Sequence, residues 1–353
     1  MTLHADELPI TADLAASVVR RERPDWAHLP LAPAGGGTDN VMFRLGDELL
    51  VRMPRTPGGV GSLHKEREWL PRLAPALPVR IPEPVHAGSP SPDYPLDWAV
   101  YRWIDGAPPA SDTVADWARF GADVAEFVRD LHGIDLMGQE RAGALSWYRG
   151  GSLRETESWV GPAFAASRPL VGDALDLDRL EAWWRDGLAL PDSPAAHVWL
   201  HGDLRPGNLL AHEGRLHAVI DFGALSVGAP DAEHAAIWDL PPEARRAYWH
   251  ALDLDEHTWL RARAWAIVVA ISGIPYYWET FPEFVAECRA RLESILAHAD
   301  AEAEAEALAP ASPVPRPPGG SAHESMANAP SGPPERCIRH TLADRAVTTR
   351  GPG

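Results

Sequence analysis

The stretch HGDLRPGN, residues 201–208, gathers a histidine, an aspartate and an asparagine into one loop between two apolar runs. AAHVWL before it and LLAHEGRLHAVI after it read as strands. The second run holds a turn at Glu213–Gly214 and leads into Asp221 of IDFG. Asn208 lies five residues after Asp203, and Asp221 lies thirteen after Asn208. A strand advances about 3.3 Å per residue, so a hairpin of this length brings Asp221 back to the end where Asn208 begins. One charged and one neutral oxygen side by side suit a hard cation such as Mg²⁺, which keeps waters and binds phosphate. A further carboxylate held off that metal, Asp203, can take a proton from an attacking hydroxyl. A rival assignment makes His201, Asp203 and Asp221 the ligands of a hydrolytic metal, but it leaves Asn208 without a role.

These residues need elements to hold them. PITADLAASVVRRERP predicts a short helix with Thr11 as N-cap, Asp13 in the first turn and Arg20 and Arg21 in the last. APAGGGTDN reads as a glycine-rich turn, and VMFRL and LLVRM as a hairpin turning at Gly46 and Asp47. SLHKEREWLPRLA predicts a helix ending against Pro75, and DWAVYRWIDG a strand closed by Asp105–Gly106. Residues 1–104 are thus expected to form a small sheet-bearing lobe, with a hinge at about 100–106. Past Gly106, Val114, Trp117, Phe120, Val124, Phe127, Val128 and Leu131 recur at helical spacing. LDRLEAWWRDGL and residues 241–298 continue helical, with one β section at 197–220. Ala264–Ile274 is too short an apolar run for a membrane span and reads as a core helix. The expectation is an α+β, bilobed chain, its larger mostly helical lobe covering 105–300, followed by a disordered Ala/Pro/Gly-rich tail over 301–353.

Composition narrows the partners. The 353 residues carry a net charge of −18, which disfavours nucleic acid and anionic membranes and favours a cationic partner or substrate. Cys288 and Cys337 make neither a disulfide framework nor a zinc site, so a reducing interior is expected. MTLHADELPI has acids where a signal peptide needs basic and then apolar residues, which predicts a cytoplasmic location. Lys65 is the sole lysine, so any task usual for a lysine falls to it or to an arginine.

The combination HGDLRPGN…IDFG resembles the catalytic core of the aminoglycoside phosphotransferase family, relatives of the protein kinases, over roughly residues 10–298. The resemblance implies a protein-kinase-like fold using ATP or GTP with Mg²⁺, and transfer of the γ-phosphoryl group to a hydroxyl of a small molecule. It implies Asp203 as base, Asn208 and Asp221 as Mg²⁺ ligands, and Arg205 neutralising the transferred group. His201 would support the loop. Arg52 of LLVRMPR would take the place of the strand lysine that grips phosphates in kinases, with Glu66, or alternatively Glu68, as its partner. Gly35, Gly36 and Gly37 would cover the phosphates, and the backbone of Tyr101 to Trp103 would face the nucleotide base.

The pattern departs after IDFG. The family's GDPxxDLA reads VGAPDAEHA here, with Ala229 for the first Asp and Glu233–His234 for Asp–Leu. Glu233, or Asp231 by a small shift, would have to brace the catalytic loop, which keeps a pseudokinase-like nucleotide-binding module as the alternative. Tyr276, Tyr277, Trp278, Glu279 and Glu283 offer acid beside aromatic, suited to a cationic hydroxyl acceptor. SWYRGGSLRE, residues 146–155, is a second candidate wall. The oligomeric state is not written in these letters.

Overall fold

The first helix forms where its signals stand. In the computed structural model, which describes residues 7–37 and 39–308, α1 spans Ala12–Glu22, and the Thr11 hydroxyl accepts from the Leu14 N–H. Strands β1 (Leu31–Gly36), β2 (Asn40–Leu45) and β3 (Leu49–Pro54) follow, then helix α2 (Val60–Leu73) and strands β4 (Pro84–Gly88) and β5 (Trp98–Arg102). They form one antiparallel sheet of order β1-β2-β3-β5-β4.

Two of these strands are additions to the sequence reading. The glycine-rich stretch is not simply a turn, because Gly35 and Gly36 complete β1. Both β1 and β4 are edge strands, where Pro33 and Pro84 cost no ladder bond. Neither carries the clean apolar alternation that reveals an inner strand.

The two-residue period of the sheet sorts its faces. Leu49, Val51 and Met53 join Ala15, Val18 and Val19 of α1 on one side. Leu50 and Arg52 face α2 on the other, beside Ala99, Tyr101 and Leu63. Arg52 points at α2 because it has the parity of Leu50.

The helical remainder comprises α3 (Trp117–Gly133), α4 (Glu157–Val171), α5 (Leu177–Ala189), β6 (Val198–Leu200), β7 (Leu209–His212), β8 (Arg215–Val219), β9 (Ser226–Gly228), α6 (Pro242–Leu252), α7 (Glu256–Tyr277) and α8 (Pro282–Leu308). The expected hairpin is β7–β8, turning through Glu213 and Gly214, whose φ of 50° and 78° suit a two-residue hairpin loop. Strand β6 pairs instead with β9, beyond IDFG. Helix α7 holds the apolar run and buries it almost all round. Among the described residues, no helix is long and apolar enough to cross a membrane. Helix α8 continues to Leu308, eight residues into the segment expected to be disordered, and residues 309–353 lie outside the described residues.

Trp69, Leu70 and Leu73 at the end of α2 belong to the large core of the helical half, with Trp69 against Trp199 at 4.9 Å between ring centroids. Backbone bonds between Arg80 and His217 and Val219, and between Ala107 and Ala211, fasten hairpin β7–β8 to the segments before β4 and after β5.

Candidate active site

The loop between β6 and β7 is built around His201. Its ring Nδ1 accepts from the Asp203 backbone N–H at 3.1 Å, which requires the proton on Nε2, and Nε2 lies 3.0 Å from the Ile220 carbonyl. Burial pushes its pKa down, so the ring stays neutral and holds the loop against the end of β8. Both nitrogens being engaged, His201 has none left for a metal, and the three-ligand hydrolase arrangement is ruled out.

Glu233 fills the bracing role that the sequence left open. Its carboxylate accepts from the backbone N–H of His201 at 2.6 Å and of Gly202 at 3.2 Å. Burial drives its pKa up to about 7, against the opposing pull of those two N–H groups. Asp231 is engaged elsewhere, accepting from Arg261 Nε at 2.7 Å. It is therefore Glu233, and not Asp231, that braces the loop backbone.

Asp203, Asn208 and Asp221 converge. Asn208 Nδ2 donates to the Asp203 carbonyl at 2.8 Å and to Asp203 Oδ2 at 3.2 Å, while the Asn208 carbonyl accepts from the Ile220 N–H at 2.9 Å. That last bond sets Asp221 beside Asn208. Asp221 adopts a left-handed backbone with φ 62° and ψ 67°, a conformation Asp tolerates better than most residues. Its Oδ1 accepts from Arg52 Nη2 at 3.0 Å, and its side chain is 49% exposed.

Arg52 and Glu66 join this group from the sheet. Arg52 Nη1 lies 2.8 and 2.9 Å from the two oxygens of Glu66, which is fully buried, and the Tyr101 hydroxyl donates to Glu66 Oε2 at 2.6 Å. Burial opposes the Arg52 charge, but Glu66 and Asp221 hold its pKa above the ordinary arginine value. Glu68, the alternative partner, faces solvent.

A metal's fit can be judged from the donors. With its nitrogen committed to Asp203, the Asn208 amide presents its oxygen elsewhere, and Asp221 keeps Oδ2 beyond its bond to Arg52. Among the described residues no cluster of three His, Cys, Asp or Glu could hold a metal. Two oxygen donors fit Mg²⁺, which fills its remaining positions with water and phosphate.

Other expected residues have partners of their own. Arg205 turns to α8, where its Nη2 lies 2.8 Å from Glu287 Oε2, with the guanidinium 5.4 Å from the Phe284 ring centroid. That contact directs it to the C-terminal helix. The Trp103 backbone N–H is taken by the Glu48 carbonyl at 2.7 Å and is not a free donor for a nucleotide base. Tyr101 contributes its hydroxyl to Glu66 from within the sheet, rather than a free backbone edge. Gly36 stands at the end of β1, and the Gly37 carbonyl after it accepts from Arg55 Nε at 3.2 Å.

A cavity of about 790 Å³ lies between Pro206–Gly207, the Trp238–Arg246 segment and α8. Its wall takes Glu287 and Arg291 from α8 and none of the 276–283 aromatics. Its acids are paired, Glu287 with Arg205 and Asp239 with Arg291, so the chain's overall negative charge does not extend into it. Sequence reasoning missed Arg149, whose Nη1 donates to Asp203 Oδ1 at 2.6 Å. It lies within the stretch proposed as a wall, but nothing in its spacing tied it to the loop. Burial works against ionisation of Asp203, yet Arg149 holds its pKa below the usual carboxylate value.

Known proteins share this fold. The profile of the phosphotransferase enzyme family matches residues 30–265. No curated protein sequence matches the chain. Among solved structures, the GDP complex of wild-type aminoglycoside 2'-phosphotransferase-IIIa is 19% identical with a TM-score of 0.65, covering 82% of this chain and 100% of its own. The streptomycin–ATP complex of APH(2")-IIa is 16% identical at a TM-score of 0.56, over 81% and 96%. Macrolide 2'-phosphotransferase MphH from Brachybacterium faecium, an apoenzyme, is 19% identical at 0.52, over 81% and 98%. These likenesses establish the kinase-like fold. Matched by the family profile over more than half of its length, the chain belongs to the phosphotransferase enzyme family.

Proposed function

We propose that the protein transfers the γ-phosphoryl group of ATP or GTP to a hydroxyl of a small molecule, with an antibiotic sugar as the leading acceptor class. The observation that carries this reading is the hydrogen-bonded group Asp203–Asn208 with Asp221 and Arg52 beside it. Asp203 takes the proton of the acceptor hydroxyl as its oxygen bonds to phosphorus and the nucleoside diphosphate leaves. Asn208 and Asp221 would hold Mg²⁺, which when bound neutralises phosphate charge. Arg52, fixed by Glu66, contributes positive charge on the sheet side. The glycines at the end of β1 would cover the phosphates, and the acceptor would occupy the cavity beside Pro206 and Gly207.

The structural neighbours support the acceptor class by analogy, one holding streptomycin with ATP and another being a macrolide phosphotransferase. The bonds from Glu233 to the loop favour a working enzyme over a nucleotide-binding module. The test is single-turnover transfer from γ-labelled ATP and GTP to a panel of aminoglycosides, macrolides and sugar metabolites. Asp203→Asn is expected to lower the rate by about 10²- to 10⁴-fold while nucleotide affinity stays within about twofold. An Asp203→Asn protein transferring at the wild-type rate would remove the base.

A further inference from the structure

We infer that Arg149 is a positioning residue for phosphoryl transfer: it clamps the Asp203 carboxylate from outside the catalytic loop, in the orientation an acceptor hydroxyl needs. The inference rests on Asp203 being the base. Arg149 lies 54 residues before Asp203, in a short turn over Tyr148–Gly150, and belongs to none of the motif.

The geometry is that of a clamp. Arg149 Nη1 donates to Asp203 Oδ1 and to the Gly202 carbonyl, each at 2.6 Å. Asn208 Nδ2 donates to the other carboxylate oxygen at 3.2 Å. The two oxygens are thus held by different partners, one within the loop and one outside it, which fixes rotation of the carboxylate. Arg149 is itself fixed, since its Nε donates to the Tyr148 hydroxyl at 2.9 Å and its side chain is largely buried.

The turn that presents Arg149 is locked to β9, the strand that follows Asp221. The Ala229 N–H donates to the Gly150 carbonyl at 2.9 Å, and a Cβ on Gly228 would come within 2.3 Å of that carbonyl oxygen. Only glycine at 228 allows this approach, so the turn carrying Arg149 and the strand leaving Asp221 share one backbone contact. A shift of about 1 Å at a reacting group can cost about 10²-fold in rate, so this positioning is large enough to measure.

The experiment measures kcat and nucleotide KM for wild type, Arg149→Gly, Arg149→Lys and Asp203→Asn, with Mg·ATP or Mg·GTP and the acceptor that the panel identifies, or water if it identifies none. Arg149→Gly is expected to lose about 10²-fold in kcat with nucleotide KM within about twofold, and added guanidinium chloride below denaturing concentration is expected to restore part of the loss. Arg149→Lys, which keeps the charge and loses the fork, is expected to fall between the two. If Arg149→Gly does not fold, the Lys variant gives the same division of kcat from KM. Wild-type kcat in both Arg149 variants, beside an inactive Asp203→Asn, overturns the inference alone. So does a loss shared equally by KM and thermal stability that guanidinium does not restore. An active Asp203→Asn overturns the base assignment and the inference with it.

Discussion

At the scale of single residues, Glu233 shows how a departure from a motif can be absorbed. Its carboxylate reaches two backbone N–H groups of the catalytic loop, and its burial raises its pKa to about 7. An unfolded glutamate titrates near 4.3, so between about pH 4.3 and 7 the folded state keeps a proton that the unfolded state releases. The contribution of this group to stability is therefore greatest below about pH 4.3, falls as pH rises to about 7, and is level above that. Thermal unfolding of wild type and Glu233→Gln across pH 4.5–8 measures this: the stability difference, wild type minus variant, should fall up to about pH 7 and then level off. A difference independent of pH would contradict the raised pKa. Local chemistry made Asp203, Asn208 and Asp221 legible, because a hairpin of known rise constrains them. Arg149 was not legible, because no period relates a residue to a partner 54 positions away.

At the scale of elements, alternation and capping were readable, while edges and crossovers were not. The parity of β3 sends Leu49, Val51 and Met53 to α1, and Leu50 and Arg52 to α2, so the Arg52–Glu66 pairing follows from strand geometry. Strands β1 and β4 escaped notice because edge strands tolerate proline and need no apolar alternation. The pairing of β6 with β9 joins segments separated by the whole hairpin, which composition does not encode. The close approach of α3 and α6 depends on Gly121, where an added Cβ would stand 2.1 Å from the Ala244 carbonyl oxygen. Gly121→Ala should force the helices apart and cost about 1–3 kcal/mol, read from the midpoint of urea unfolding. A wild-type midpoint would mean that the two helices do not touch there.

At the scale of the whole molecule, α2 ties sheet to helices. Glu66 holds Arg52 beneath the sheet, and one to two turns later Trp69, Leu70 and Leu73 enter the core of the helical half. Arg52 in turn meets Asp221, so the two halves supply opposite charges to one site. The bilobed order was legible from the shift of period near Gly106; the cavity beside Pro206 and Gly207 was not, because the residues that form it are scattered from Pro108 to Ala301. The net charge of −18 does not extend into that cavity, whose acids face arginines. The central claim is that Asp203, Asn208 and Asp221 form one phosphotransfer site. Calorimetric titration of ATP and GTP into wild type, Asn208→Ala and Asp221→Ala, with and without Mg²⁺, tests it most directly. The account predicts that Mg²⁺ tightens nucleotide binding in the wild type and that this gain is lost in both variants; an unchanged Mg²⁺ gain in either would contradict it.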